Sequence, residues 1–377
     1  MEIAKTMKKE KERTVIFGRL NAATRRAVFS VVILIALFVL FAVLQPDKFL
    51  DSRNLQNLLQ QIVTYTIIGC GLTFCLVCGG NDLSAGASMA LSGIIMVRLL
   101  IAGLPLWVCI ILCLMMGIMT GIMNGFFIEI LGVVPFVATL ATQWVYRGMA
   151  NVLVNGAPVY TTNIPSESVQ KQFYILGGGR MGGDGLPYSV IITLVYAVIL
   201  GIVLAKSRIG RQIYACGSNL EAAKLSGINA VKTRMFAYCI SGLSAAICGI
   251  LVASRLSSAQ PTAGNGYEME AIAASVLGGI SILGGEGTIL NTIIGALMMG
   301  VIRNGLNLNG VNSFWQQVIV GLILLVAVAS QTANRGGNID NIKRKMMVWF
   351  KARTAALKKR IQNRNMFQKK VPRKRNV

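Results

Sequence analysis

Ten runs of mainly apolar residues, each near the length that crosses a bilayer, occupy 27–45, 59–80, 85–103, 106–131, 134–155, 188–206, 234–254, 271–288, 289–307 and 312–330. A hydrocarbon core of about 30 Å takes roughly 20 helical residues, and only segments that satisfy their own backbone hydrogen bonds survive there. The spacing predicts an all-α, polytopic membrane protein of about ten transmembrane helices. The second and third runs, and the eighth and ninth, are joined by glycine-rich stretches, Gly79 to Gly86 and Gly278 to Gly287, that read either as plain turns or as broken or re-entrant helices. With 54% hydrophobic and 14% charged residues the chain cannot cover a water-facing surface, and its 40 glycines suit closely packed membrane helices. A water-soluble enzyme is excluded.

The net charge of +23 sits at the ends: residues 1–26 carry +5 and residues 331–377 carry +14. Basic tails flanking apolar spans fit cytoplasmic segments facing anionic lipid, and no nucleic-acid partner is expected. Ten crossings return the C-terminal tail to the side of the N-terminal one, so both termini are expected in the cytoplasm. The same parity puts 207–233 inside and the loops 156–187 and 255–270 outside. The organisation is then a basic tail at 1–26, a ten-helix transmembrane body at 27–330 with an inside loop at 207–233, and a basic tail at 331–377. Within that last tail, 343–375 is amphipathic and either lies at the headgroups or is simply solvated. No small-residue cleavage site follows the first apolar run, so no removed signal peptide is expected.

No catalytic constellation is present. The chain has no histidine, no GxSxG, no HExxH and no GxxxxGK[ST], so catalytic residues, a metal site and a nucleotide site are not expected. Cys75 and Cys78 form an isolated CxxC, read with the other six cysteines as small packing residues. Ionisable residues in or beside the spans are Asp82, Arg98, Glu129, Arg147, Glu286 and Arg303. For Arg98, Glu129, Arg147 and Arg303 the reading is snorkelling or an internal ion pair. Asp82 and Glu286 lie in the glycine-rich breaks, where each can fix a helix end or a gate. Asp82 and Ser84 either start the third span or touch the solute. Gly117, Gly121 and Gly125 form a small-residue stripe for packing, with Asn124 beside it on an interior face. In 207–233, Ser218 or Asn219 can cap a short helix through Glu221, Ala222, Ala223 and Lys224 that stops at Gly227. That helix is either a docking element or a connector.

The stretches GGNDLSAGASMALSG at 79–93, GSNLEAAKLSGIN at 217–229, RLSSAQPTAGNGYEMEAIAASVLGG at 255–279 and NGLNLNGVNSFWQQVIVG at 304–321 resemble the permease subunits of ribose-type ABC sugar importers, which handle ribose, galactose, xylose or autoinducer-2. The resemblance covers most of residues 30–330. It implies a ten-helix permease of the ribose/vitamin B12-like type in the bacterial cytoplasmic membrane. Such a permease pairs with a second copy, is fed by an extracytoplasmic sugar-binding protein and is driven by an ATPase subunit with tandem nucleotide-binding domains. ATP and magnesium belong to that partner, and this chain is expected to hold no cofactor. By the resemblance, Gly217, Asn219, Glu221, Ala222, Ala223 and Gly227 form the element coupled to the ATPase. Asp82, Ser84, Asn124, Thr139 and Glu286 are candidates for the translocation path or its gate, through which a ribose-like monosaccharide passes by alternating access.

Two features depart from the family. Asn81 stands where an apolar residue usually precedes Asp-Leu-Ser, and the C-terminal tail continues well past the last span. The alternative reading, an ion-coupled secondary transporter of a small polar solute, needs titratable groups near the midplane, and only Asp82 and Glu286 come close.

Overall fold

The structure is a computed structural model that describes residues 22–182 and 185–335. Residues 1–324 form one compact unit and 325–377 a second, of which only the end of the last helix is described. Helix α1 spans Ala22–Leu44 and α2 Pro46–Phe49. They are followed by α3 Ser52–Val77, α4 Ala85–Ile101, α5 Leu106–Glu129 and α6 Pro135–Val154. Strand β1, Val159–Tyr160, leads to α7 Glu167–Gly177, α8 Tyr188–Lys206, α9 Arg208–Ser218, α10 Leu220–Leu225 and α11 Ala230–Leu256. Strand β2, Ser258–Ala259, precedes α12 Tyr267–Leu277, α13 Ile289–Leu308 and α14 Ser313–Arg335.

Five helices, α3, α5, α8, α11 and α13, are long and apolar enough to cross a membrane, while the apolar stretches of α1, α4 and α14 are shorter. The run at 271–288 is helical only to Leu277, and α12 has 11 residues. At 1.5 Å per residue it extends about 16 Å, roughly half a bilayer core. Its ends are set by glycines: Gly264 and Gly266 turn the chain before it, and Gly279, Gly284, Gly285 and Gly287 follow it, all at positive φ. Such conformations carry little cost only without a Cβ.

The most apolar helices are the least buried. Helix α3 is 89% buried over its apolar stretch, whereas α5 and α8, the two of highest mean hydropathy, are each 28% buried. A soluble protein shows the reverse; here the exposed faces suit hydrocarbon and the interior holds the polar side chains. Helix α11 packs on α3, α4 and α5. Gly117 and Gly121 of α5 meet Gly242 and Tyr238 of α11 so closely that a Cβ on Gly121 would overlap the Tyr238 carbonyl, which is the packing role expected of the stripe. Seven of the eight free cysteines are buried.

Beyond α11 the chain turns back on itself. β2 pairs antiparallel with β1, Val159 opposite Ala259. Ala259 shares an apolar cluster with Ile94, Val97 and Leu100 in the C-terminal half of α4. Five residues later Gly264 lies against Gly86, in the first turn of α4. Strand β2 and the irregular residues 260–266 therefore run along the side of α4 before α12 begins.

Candidate functional site

The break between α3 and α4 carries a buried carboxylate, Asp82, 1% exposed. One oxygen, Oδ1, accepts from the Ser84 amide at 2.9 Å, the Ser84 hydroxyl at 2.6 Å and Asn124 Nδ2 at 3.2 Å. The other, Oδ2, accepts from the Ser241 hydroxyl at 2.6 Å. Asn124 also donates to Ser84 Oγ at 2.8 Å, and its own carbonyl accepts from Thr142 Oγ1 at 2.6 Å. Three helices, α5, α6 and α11, thus converge on the break. Ser84 holds the N-cap position of α4 but gives its hydroxyl to Asp82 rather than capping. Thr139 turns its hydroxyl to the Pro135 carbonyl at 2.9 Å, and Thr142, nearly one turn on, is the α6 residue that reaches Asn124. Asn81 leaves its buried side-chain oxygen without a hydrogen bond.

The next turn of α6 faces the segment beyond β2. Arg147 Nη1 donates to the carbonyls of Pro261 and Ala263, each at 2.6 Å, and Gln143 Nε2 donates to Glu268 Oε1 at 3.1 Å. Glu270, two residues along α12, pairs with Arg303 of α13, and Glu129 pairs with Arg234 at 3.2 Å. Arg98 is exposed. The internal-pair reading therefore holds for Glu129 and Arg303, while Arg147 instead grips a loop backbone. Ser241, Thr142, Gln143, Glu268 and Glu270 did not stand out in the sequence, although two carboxylates within four residues of Gly-Asn-Gly are a helix-start signal. Glu286 is exposed in the loop after α12.

At α9 and α10 the local signals hold. Asn219 Oδ1 accepts from the Ala222 amide at 3.0 Å, the helix runs Leu220–Leu225, and Gly227 follows at φ 78°. Ala223 is buried, while Glu221 and Ala222 are exposed and Leu225 is 89% exposed. Glu221 pairs with Lys224 at 2.9 Å. Gly217 is pressed onto the end of α3: a Cβ there would overlap the Val77 carbonyl and come within 2.7 Å of the Gly285 amide. Gly285 in turn donates to that same carbonyl at 2.8 Å. The Tyr214 hydroxyl donates to the Gly287 carbonyl at 2.6 Å, and burial raises its phenol above the ordinary range.

A helical body with its apolar faces outward, a buried polar cluster at the break between α3 and α4, and a surface helix, α9, whose Gly217 bears on that break and on the glycine loop after α12, is the construction of a polytopic permease. Residues 54–328 match the family of the branched-chain amino acid transport system permease component, and the chain belongs to that family. It is 44% identical to the ribose import permease protein RbsC of Bacillus subtilis (strain 168), over 78% of this chain and 89% of that one. It is 38% identical to RbsC of Escherichia coli (strain K12), over 78% and 91%, and 38% identical to the L-arabinose transport system permease protein AraH of the same strain, over 79% and 88%. No solved structure matches the chain. It is a multi-pass inner-membrane component of an ABC importer, a transport part rather than an enzyme, and such importers work with an ATPase and a substrate-binding protein.

Proposed function

We propose that the chain forms the translocation path of an ATP-driven, binding-protein-dependent importer of a neutral monosaccharide, ribose-like in size, as one of two identical copies. The observation that carries this is the wedge at Gly217. The capped helix α10 exposes Glu221, Ala222 and Leu225, while the turn before it bears on Val77, five residues from Asp82, and on Gly285, in the loop after α12. A push on α10 is therefore transmitted to both chain breaks at once, as alternating access requires. Gly217, Asn219, Glu221, Ala222, Ala223 and Gly227 act as the coupling element, and Asp82, Ser84 and Asn124 lock the break that rearranges.

Counting β2 and the irregular segment 260–266 with α12 as one crossing gives ten crossings, with both basic tails and α9–α10 in the cytoplasm. The expected basic tail at 343–375 lies outside the described residues; its charge suits anionic headgroups or the ATPase. Relatives named for ribose, allose and arabinose import support the sugar reading.

Vesicle uptake tests it. Accumulation of radiolabelled D-ribose is expected only when the chain, its ATPase, its binding protein and ATP are all present. Uptake by the chain alone, driven by an ion gradient, would establish the secondary-transporter reading instead.

A further inference from the structure

A cavity of about 230 Å³ lies between α4, α11 and residues 258–267. Met89 and Gly93 of α4 and Gly249 of α11 form one wall; Gln260, Thr262 and Asn265 stand on the other. The shape depends on close packing, since a Cβ on Gly249 would overlap the Met89 carbonyl. Gln260, Thr262 and Asn265 are exposed, and none of their side chains hydrogen-bonds to another described residue. This stretch lies beside the apolar helix α4, with Gly264 against Gly86 in its first turn and the cavity reaching Met89 and Gly93, so it runs along the flank of that helix. Irregular chain along a membrane helix is tolerated only where it is buried or lines a water-filled cavity, and free amide and hydroxyl groups cannot face hydrocarbon. The three side chains consequently look into an aqueous path, with their hydrogen-bonding capacity unspent.

The chemistry of the lining selects its occupant. No charged residue lines the cavity, and the helix that starts below it carries Glu268 and Glu270 in its first turn. A half-helix N-terminus otherwise attracts a carboxylate; here two acidic side chains oppose one. An amino acid would find no partner for its charges, despite the description of the wider family. Drug-sized sites begin near 300 Å³, so the volume suits a small solute, and mixed amide and hydroxyl groups opposite an apolar wall suit a neutral polyhydroxylated one.

The geometry points to a monosaccharide-binding subsite formed by Gln260, Thr262 and Asn265 against α4 and α11, which holds the sugar during passage and rejects amino acids. This deepens the proposed function and rests on it. The test uses the complete complex with its ATPase in vesicles, with Cys239, the one cysteine not fully buried, replaced by serine. Cysteines introduced as Thr262→Cys or Asn265→Cys are labelled with a maleimide. Millimolar D-ribose is expected to slow labelling at both positions, L-leucine to have no effect, and a Ser168→Cys control on exposed α7 to ignore both. Gln260→Ala should raise the half-protecting sugar concentration about 5-fold, as loss of one neutral hydrogen bond implies, and should change the ratio of D-ribose to L-arabinose uptake. Labelling indifferent to sugar in a complex that transports D-ribose overturns the subsite alone, as does protection by L-leucine. A complex that accumulates no monosaccharide with all partners and ATP overturns the importer reading and the subsite with it.

Discussion

A carboxylate taken out of water is tolerable only if its lone pairs are filled, and at Asp82 the donors come from Ser84 close by and from Asn124 and Ser241 on two other helices. Ser241→Ala leaves Oδ2 without its donor and is expected to cost about 2 kcal/mol, the range for a hydrogen bond to a charged group. Asp82→Asn should cost a similar amount, because the amide oxygen keeps the donors at Oδ1 while an N–H2 in place of Oδ2 takes away the acceptor of the Ser241 hydroxyl. Chemical unfolding in detergent reads both, and the double variant should lose less than the sum, since the two changes remove one shared bond; strict additivity would mean that bond is absent. Glycines make a second test by contrast. Gly217→Ala drives a Cβ into backbone, so overpacking of about 1–3 kcal/mol and loss of uptake are expected. Gly227 has open space around it and only a positive φ, so Gly227→Asn should retain uptake while Gly227→Val does not.

A six-residue helix such as α10 does not stand alone in water; it persists because Asn219 caps it and Ala223 is buried. Asn219→Ala should cost about 1 kcal/mol and speed amide exchange over Leu220–Leu225, with Asn219→Asp restoring protection. The Glu221–Lys224 pair is exposed and worth little to stability, so Glu221→Arg is expected to leave the unfolding midpoint in place yet abolish sugar accumulation. Retained accumulation would remove Glu221 from the contact with the ATPase.

This element was legible in the sequence because its cap, its turn of helix and its glycine stop are all local. Helix α12 was not. Its length is decided by close contacts of Gly278 with Asn291 and Gly295 with Ala274, which hold the glycine loop against α13, and no window of apolar residues reports them. The Asp82 cluster was half legible: Asp82 and Ser84 are polar residues in the glycine-rich break between two apolar runs, and Asn124 is one inside a run. Ser241, 159 positions away, and Thr142 look like ordinary small membrane-helix residues until the fold brings them together. Glu268 and Glu270 were overlooked because the preceding segment read as an outside loop rather than as chain returning beside α4.

Across the first unit, the hydropathy of each helix tracks how much of it meets lipid. Leu194, Val195, Val198 and Ile202 of α8 are exposed while Thr193, Ala197 and Leu204 are buried, so the outer stripe of that helix has hydrocarbon as its solvent. Val198→Lys, near the middle of α8, should cost roughly 2.5–3.5 kcal/mol on insertion and lower the amount of protein in the membrane. The sidedness of the whole molecule follows from the same partition. If the basic segments stay inside, Leu225 and Ser168 lie on opposite faces of the bilayer, because three basic residues against one acidic residue in α9 and α10 flank the one and an acid-and-base pair with no excess charge flanks the other. In sealed cells, a membrane-impermeant maleimide is expected to label Ser168→Cys and to spare Leu225→Cys until the membrane is permeabilised. Labelling of Leu225→Cys from outside would put the wedge on the wrong side of the membrane for an ATPase, and transmission from α10 to the two breaks could not be how this permease is driven.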